Sequence, residues 1–156
     1  HGPIPKIAPD GQRPSDIYAR KLAAEKRNPD GPQVAIVVGG LGVSATATAN
    51  ALSKLPGAVT LAFTPYGTDL DTMVSQAREK GHEVLLQIPM EPHDYPDNDP
   101  GPQTLLSSLS GEQNIDRMQW LMSRFQGYAG IANFMGARFT ASEIHPATGA
   151  PRVTVR

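Results

Sequence analysis

The chain has 156 residues, 39% of them hydrophobic, which suits one domain with a single core. Its 14 Lys plus Arg against 15 Asp plus Glu give a formal net charge of -1, so no global field draws it to nucleic acid or anionic lipid. The lack of cysteine excludes thiolate metal sites, disulfides and a cysteine nucleophile, and the longest apolar runs fall far short of the roughly 20 residues of a membrane-crossing helix.

Residues 1–32 mix charge with Pro3, Pro5, Pro9, Pro14, Pro29 and Pro32, a composition without a regular apolar face. An extended arm or linker is expected there, with a short helix over residues 16–26, and the α/β domain over residues 33–156. The pattern then changes. Val34-Ala35-Ile36-Val37-Val38, closed by Gly39-Gly40, predicts a strand buried on both faces and central in its sheet. Ser44 is a predicted cap for a helix reaching about Leu55, with Ala47, Ala51, Leu52 and Leu55 inward before Pro56-Gly57 stops it.

The alternation repeats. Residues 58–63 predict a second strand, Pro65-Tyr66-Gly67 a turn, and Thr68 the cap of a helix to Lys80 that buries Leu70, Met73, Val74 and Ala77. Residues 83–88 predict a third strand and residues 111–125 an amphipathic helix with Ile115, Met118, Leu121, Met122 and Phe125 inward. Between them, residues 89–103 form a proline-rich loop of a length that suits the wall of a site. Residues 128–132 predict a fourth strand, and residues 142–156 show only the weak alternation of Val153 and Val155.

Strands alternating with helices imply parallel βαβ units and the α/β class. Ligands of such folds meet the carboxyl ends of strands, which here are residues 39–42, 64–67, 87–93 and 133–138. A closed barrel needs more strands than these four. Either the fold is completed by residues outside this chain, or the sheet stays open.

The strings at those strand ends carry a family likeness. Ile36-Val37-Val38-Gly39-Gly40-Leu41-Gly42, Thr60-Leu61-Ala62-Phe63-Thr64-Pro65-Tyr66, Gln87-Ile88-Pro89-Met90-Glu91-Pro92 with Gly101-Pro102, and Asn133-Phe134-Met135-Gly136-Ala137-Arg138 resemble the divergent polysaccharide deacetylase family over residues 34–140. The resemblance implies an incomplete (β/α) barrel, apparently truncated at the C-terminus here, with a carbohydrate-facing mouth, on an exported, periplasmic protein of the bacterial envelope. It also implies hydrolysis of acetyl groups on a glycan by a divalent metal, held by Asp and His ligands, that acidifies its bound water.

Three departures bear on that chemistry. Gly39 and Gly40 stand where the family commonly carries two aspartates, and Phe134 stands where it tends to carry a metal-binding histidine. Gln87 occupies a position where a histidine can occur. No metal ligand set and no cofactor are therefore expected, and catalysis is expected to be impaired or lost while sugar binding is retained. The alternative is a structural or partner-binding envelope protein without carbohydrate activity.

Among the remaining residues, Glu91 is the candidate catalytic base, since burial past a strand end can raise a carboxyl pKa; its other reading is a carboxylate accepting backbone N–H bonds to hold a turn. Tyr66, Gln87, Asn133 and Arg138 are the candidate sugar cradle, with Arg138 equally suited to pairing Glu91. His82 reads as a structural hydrogen-bond partner, and His93 with Asp94, Asp97 and Asp99 as a polar loop rather than a cation site. His145-Pro146 matches a metal-binding pair only superficially, and Gly39-Gly40-Leu41-Gly42 lacks the lysine and spacing of a phosphate loop.

Overall fold

A computed structural model describes residues 1–21, 31, 32 and 34–142. Helix α1 (Pro14–Tyr18) precedes the alternating series β1 (Val37–Leu41), α2 (Ala45–Lys54), β2 (Thr60–Phe63), α3 (Leu70–Glu79), β3 (Val84–Met90), α4 (Gly111–Met122), β4 (Gly130–Met135) and α5 (Ala137–Ala141). The four strands form one open parallel sheet in the order β1-β2-β3-β4. Sequential order with a helix between each pair is what repeated βα units produce when every crossover takes the same hand.

One core seals one face of the sheet. Leu61, Phe63, Val84, Leu86 and Ile88 from the strands pack with Leu52 of α2, Leu70, Val74 and Ala77 of α3, and Leu121 of α4. Phe125 stands edge-on to both Phe63 and Tyr128, with ring centroids 6.2 and 5.4 Å away, and closes the core beneath α4. The opposite face carries the alternate residues, among them Ala62, Gln87, Pro89 and Phe134, and leads to the strand ends.

The first strand departs from expectation. It begins three residues later than the apolar run suggests and runs through both glycines, and it lies at the sheet's edge rather than its centre. Val34, Ile36 and Val37 are 84%, 57% and 50% exposed, because β2 is the only strand beside them among the described residues. Register also slips between Val38 and Leu41, where Gly40 takes a left-handed φ of +78°.

Helix starts follow capping chemistry. The Ser44 hydroxyl accepts from the Ala47 amide at 3.2 Å, but Thr48 rather than Ala47 is buried under α2, where its hydroxyl accepts from Gly42 N and donates to Ser44 O. The cap of α3 is Asp69, one residue past the expected Thr68. Ser110 and Gln113 form a reciprocal capping box at α4, a signal the sequence carries one residue before the expected start. Helix α4 ends at Met122, and β4 starts at Gly130 and extends to Met135.

Residues 1–21 run back over the helices. His1 Nε2 lies 2.7 Å from Asp116 Oδ1 on α4, Gln126 Nε2 donates to Pro3 O, and the Arg20 amide donates to Glu83. The Arg78 guanidinium donates to Tyr18 O and stacks 5.2 Å over its ring. Helix α1 spans only part of the expected segment, and residues 22–26 of that segment lie outside the described residues, as do Val153, Val155 and the His145-Pro146 pair.

Candidate functional site

All four strand ends contribute to one cavity of about 160 Å³, lined by Gly40, Val43, Thr64, Pro65, Tyr66, Gln87, Pro89, Pro100 and Phe134. Its placement follows from the topology: parallel strands of similar length open their exit loops on the same side. Pro100 comes from the loop after β3, which leaves the sheet at Glu91 and returns through hydrogen bonds between Leu105 N and Pro89 O and between Glu91 N and Leu105 O. The proline-rich loop is thus a wall of the site.

Tyr66 fixes that wall. Its hydroxyl donates to Pro102 O at 2.5 Å, and a Cβ added to Gly101, whose φ is +130°, would sit 2.8 Å from the ring. Burial, together with the Asp99 carboxylate and against the pull of Arg117, pushes the Tyr66 phenol up to about 12, so it remains a donor throughout the neutral range. A second tie holds the loop's far end, where Asp99 accepts from Gly101 N at 2.9 Å. His93, in the same loop, is exposed and is not part of the cavity lining.

Gln87 forms the floor. Its side chain, 7% exposed, reaches from β3 across β2 to β1, and Oε1 accepts from Gly40 N at 2.6 Å. Position 39 is small for the same reason: a Cβ there would lie 2.8 Å from Gln87 Nε2 and 3.3 Å from Cδ. Gly39 and the glutamine are therefore one arrangement, in which the carboxamide fills the space a side chain at position 39 would need, while Gly40 is tied to it through its amide.

Two candidate residues lie elsewhere. Asn133 pairs in register with Ile88 and Phe134 with Pro89, so strand alternation puts Phe134 in the cavity and Asn133 on the opposite face. Asn133 is exposed and donates from Nδ2 to Met135 O at 2.8 Å. The expected cradle of Tyr66, Gln87, Asn133 and Arg138 is thus divided, with only Tyr66 and Gln87 in the cavity.

Glu91 is 4% exposed and lies outside the cavity lining. Its Oε2 accepts from both the amide and the hydroxyl of Ser107 at 2.6 Å, and Arg138 Nε stands 3.6 Å from Oε1. Its carbonyl accepts from the Arg138 and Phe139 amides at the start of α5. Burial alone would raise this carboxyl, but the two Ser107 hydrogen bonds and the Arg138 cation outweigh it and hold the group below its ordinary value. A carboxylate so engaged is a weak base and a strong tie between the β3 exit, the returning loop and α5. Arg138 takes the pairing role of its two readings.

His82 lies at the other end of β3, 3% exposed, with Nδ1 2.8 Å from Val59 O and Nε2 unpartnered among the described residues. No group of three or more His, Cys, Asp or Glu side chains among the described residues could hold a metal ion. At the mouth itself the lining side chains are a carboxamide, the hydroxyls of Thr64 and Tyr66, and hydrocarbon that includes the Phe134 ring. The residues present do not fit a divalent cation.

The family model of the divergent polysaccharide deacetylases matches residues 36–147. The chain belongs to that family. A crystal structure of an uncharacterized protein, ATU2773, from Agrobacterium tumefaciens C58 is similar to this chain, with 43% sequence identity and a TM-score of 0.84. The likeness covers 92% of this chain and 56% of that one, so the chain spans little more than half of that protein's length. No curated protein matches the sequence. Among the described residues, the parallel sheet of four strands with alternating helices is open rather than closed, the arrangement of part of an α/β barrel. No helix among the described residues is long and apolar enough to cross a membrane.

Proposed function

We propose that this protein is a carbohydrate-facing member of its family in the bacterial envelope, in which glycan binding persists while metal-dependent deacetylation is impaired or lost. The observation that carries this reading is the Gln87 carboxamide bound to Gly40 N beside Gly39, in a cavity lined by the rings of Tyr66 and Phe134. An aromatic ring face suits the apolar face of a sugar, and a carboxamide suits its polar groups. The carboxylate nearest by sequence, Glu91, is held below its ordinary pKa by Ser107 and Arg138, so it serves the shape of the mouth rather than proton transfer.

Titration with acetylated envelope oligosaccharides, followed by amide chemical shifts, tests the binding. Shifts at Tyr66, Gln87 and Phe134, with none at Asn133, are expected; an unchanged spectrum at millimolar glycan refutes the reading. Release of acetate that is lost on chelation would refute the impairment. Location is tested by osmotic-shock fractionation of a tagged full-length protein, with recovery in the cytoplasmic fraction as the contrary result.

A second reading, a partner-binding envelope protein, is favoured by the exposed apolar side chains of Val34, Ile36 and Val37 beside the sheet edge. It predicts cross-linking of those positions to another envelope protein in intact cells. Cross-links confined to this chain's own residues would dismiss it.

A further inference from the structure

The loop that walls the cavity is held unevenly. Its stem is fixed: Leu105 N donates to Pro89 O, Glu91 N donates to Leu105 O, and Arg117 Nη1 donates to Thr104 O, with Pro92 and Thr104 both buried. Beyond that stem, residues 93–103 hydrogen-bond among themselves and to Pro92 and Thr104, with one exception among the described residues. The exception is the Tyr66 hydroxyl, which donates to Pro102 O. His93, Asp94 and residues 96–99 are exposed, so little burial holds the segment in place. A segment with so few ties opens locally, at a free energy below that of global unfolding.

Backbone conformation points the same way. Gln103, where the segment rejoins its stem, has a φ of +68°, in the left-handed region that is unfavourable for a residue with a Cβ. Two residues earlier, Gly101 has a φ of +130° and lies against the Tyr66 ring, which an added Cβ would meet at 2.8 Å. The shut loop therefore stores strain at one end and is held across the cavity by one hydroxyl. Behind it Thr64 is 8% exposed, and its buried hydroxyl has no partner among the described residues, while Pro100 of the loop shares the same lining.

We propose that residues 93–103 are a lid over the cavity at the strand ends, hinged after Pro92 and at Gln103 and latched by the Tyr66 hydroxyl on Pro102 O. The structure shows the lid shut. Opening breaks the latch, relaxes Gln103 and admits a ligand past Pro100; closure then shields the ligand from water. The Tyr66 phenol, pushed up to about 12, stays a donor through the neutral range, so the latch does not titrate there. The lid governs access whatever the ligand is, so it goes beyond the carbohydrate reading and stands or falls apart from it.

The chain has no cysteine, so Thr64→Cys puts a single thiol in the cavity lining. Its reaction with dithiodipyridine in native buffer, set against the urea-unfolded chain, reports how often the cavity is reached. Labelling should be slower than in the unfolded chain, and about fivefold faster once Tyr66→Phe removes the latch and keeps the ring. Gln103→Gly should slow it, because glycine adopts the shut conformation without strain. Val43→Cys, at a position 72% exposed on the rim of the same cavity, should label fast with or without the latch.

A rate at position 64 that Tyr66→Phe leaves unchanged, or labelling only as fast as global unfolding, overturns the lid and leaves glycan binding untouched. If Thr64→Cys does not fold, relaxation dispersion on the unsubstituted chain decides. Exchange at Gly101 and Gln103 that Tyr66→Phe alters supports the lid, and a flat profile at both overturns it.

Discussion

Residues 34–38 and 84–88 are comparable apolar runs, yet Ile36 is 57% exposed and Val37 50%, whereas Val84, Leu86 and Ile88 are fully buried. The difference is position in the sheet. Strand β3 has β2 on one side and β4 on the other, with α3 and α4 packed over it, while β1 has β2 alone among the described residues. Composition sets the tendency to form a strand; burial is conferred by neighbours, which a local run of sequence does not name. The two strands meet at one point, where Gln87 of β3 holds Gly40 at the end of β1.

Substitution can break or sharpen that contrast, and the largest effect belongs to β3. Leu86→Ala should cost about 2–5 kcal/mol in chemical denaturation, because the residue is fully buried between β2 and β4 and its neighbours cannot collapse into the gap. A loss below about 1 kcal/mol would mean that the centre of the sheet is not where the core lies. Next comes the end of the same strand: Glu91→Gln should cost about 1–3 kcal/mol at neutral pH, since two short bonds from Ser107 and the Arg138 pair lose their charge.

The pH dependence of that second effect has a definite sign. Glu91 titrates lower in the folded chain than unfolded, so its contribution is fully present above the ordinary carboxylate range and fades as pH falls through the lowered folded value. Thermal melts of wild type and Glu91→Gln should therefore lie furthest apart near neutrality and converge in acid. A gap that widens on acidification would reverse the assignment. Smaller again is the link between the strands. Gly39→Ala should cost about 1 kcal/mol through loss of the Gln87–Gly40 bond, and should add little once Gln87 is already alanine. Strict additivity of the two would show that the contact is incidental.

Much of this arrangement is legible in the sequence. The βα alternation, the Ser44 cap, the inward stripe of Leu70, Val74 and Ala77, and the meeting of four strand ends all follow from local periodicity and turn chemistry. What escaped was set by register. Asn133 and Phe134 are adjacent in sequence, and only the pairing with Ile88 and Pro89 decides which of them faces the cavity. Thr48 buries in place of Ala47 because its hydroxyl serves Gly42 N, a use that hydrophobic spacing alone does not reveal. Glu91 offered two roles in sequence, and Ser107, sixteen residues later, selects between them.

The smallest effect is the most discriminating for the comparison. A sequence argument that makes residues 34–38 a central strand requires Ile36→Ala to open a cavity costing about 2–5 kcal/mol. With Ile36 57% exposed and tied to β2 through its carbonyl, which accepts from Thr60 N at 2.9 Å, truncation removes a side chain already largely in water, and the backbone bond survives it. The expected loss is below about 1 kcal/mol, read from the urea midpoint at unchanged slope. Measured beside Leu86→Ala in the same chain, the ratio of the two losses reports the burial of β1 against β3 directly. A large loss at Ile36 would mean that in solution β1 is covered by something its sheet neighbour does not supply, and the exposed edge that distinguishes it from β3 would then be an occupied surface.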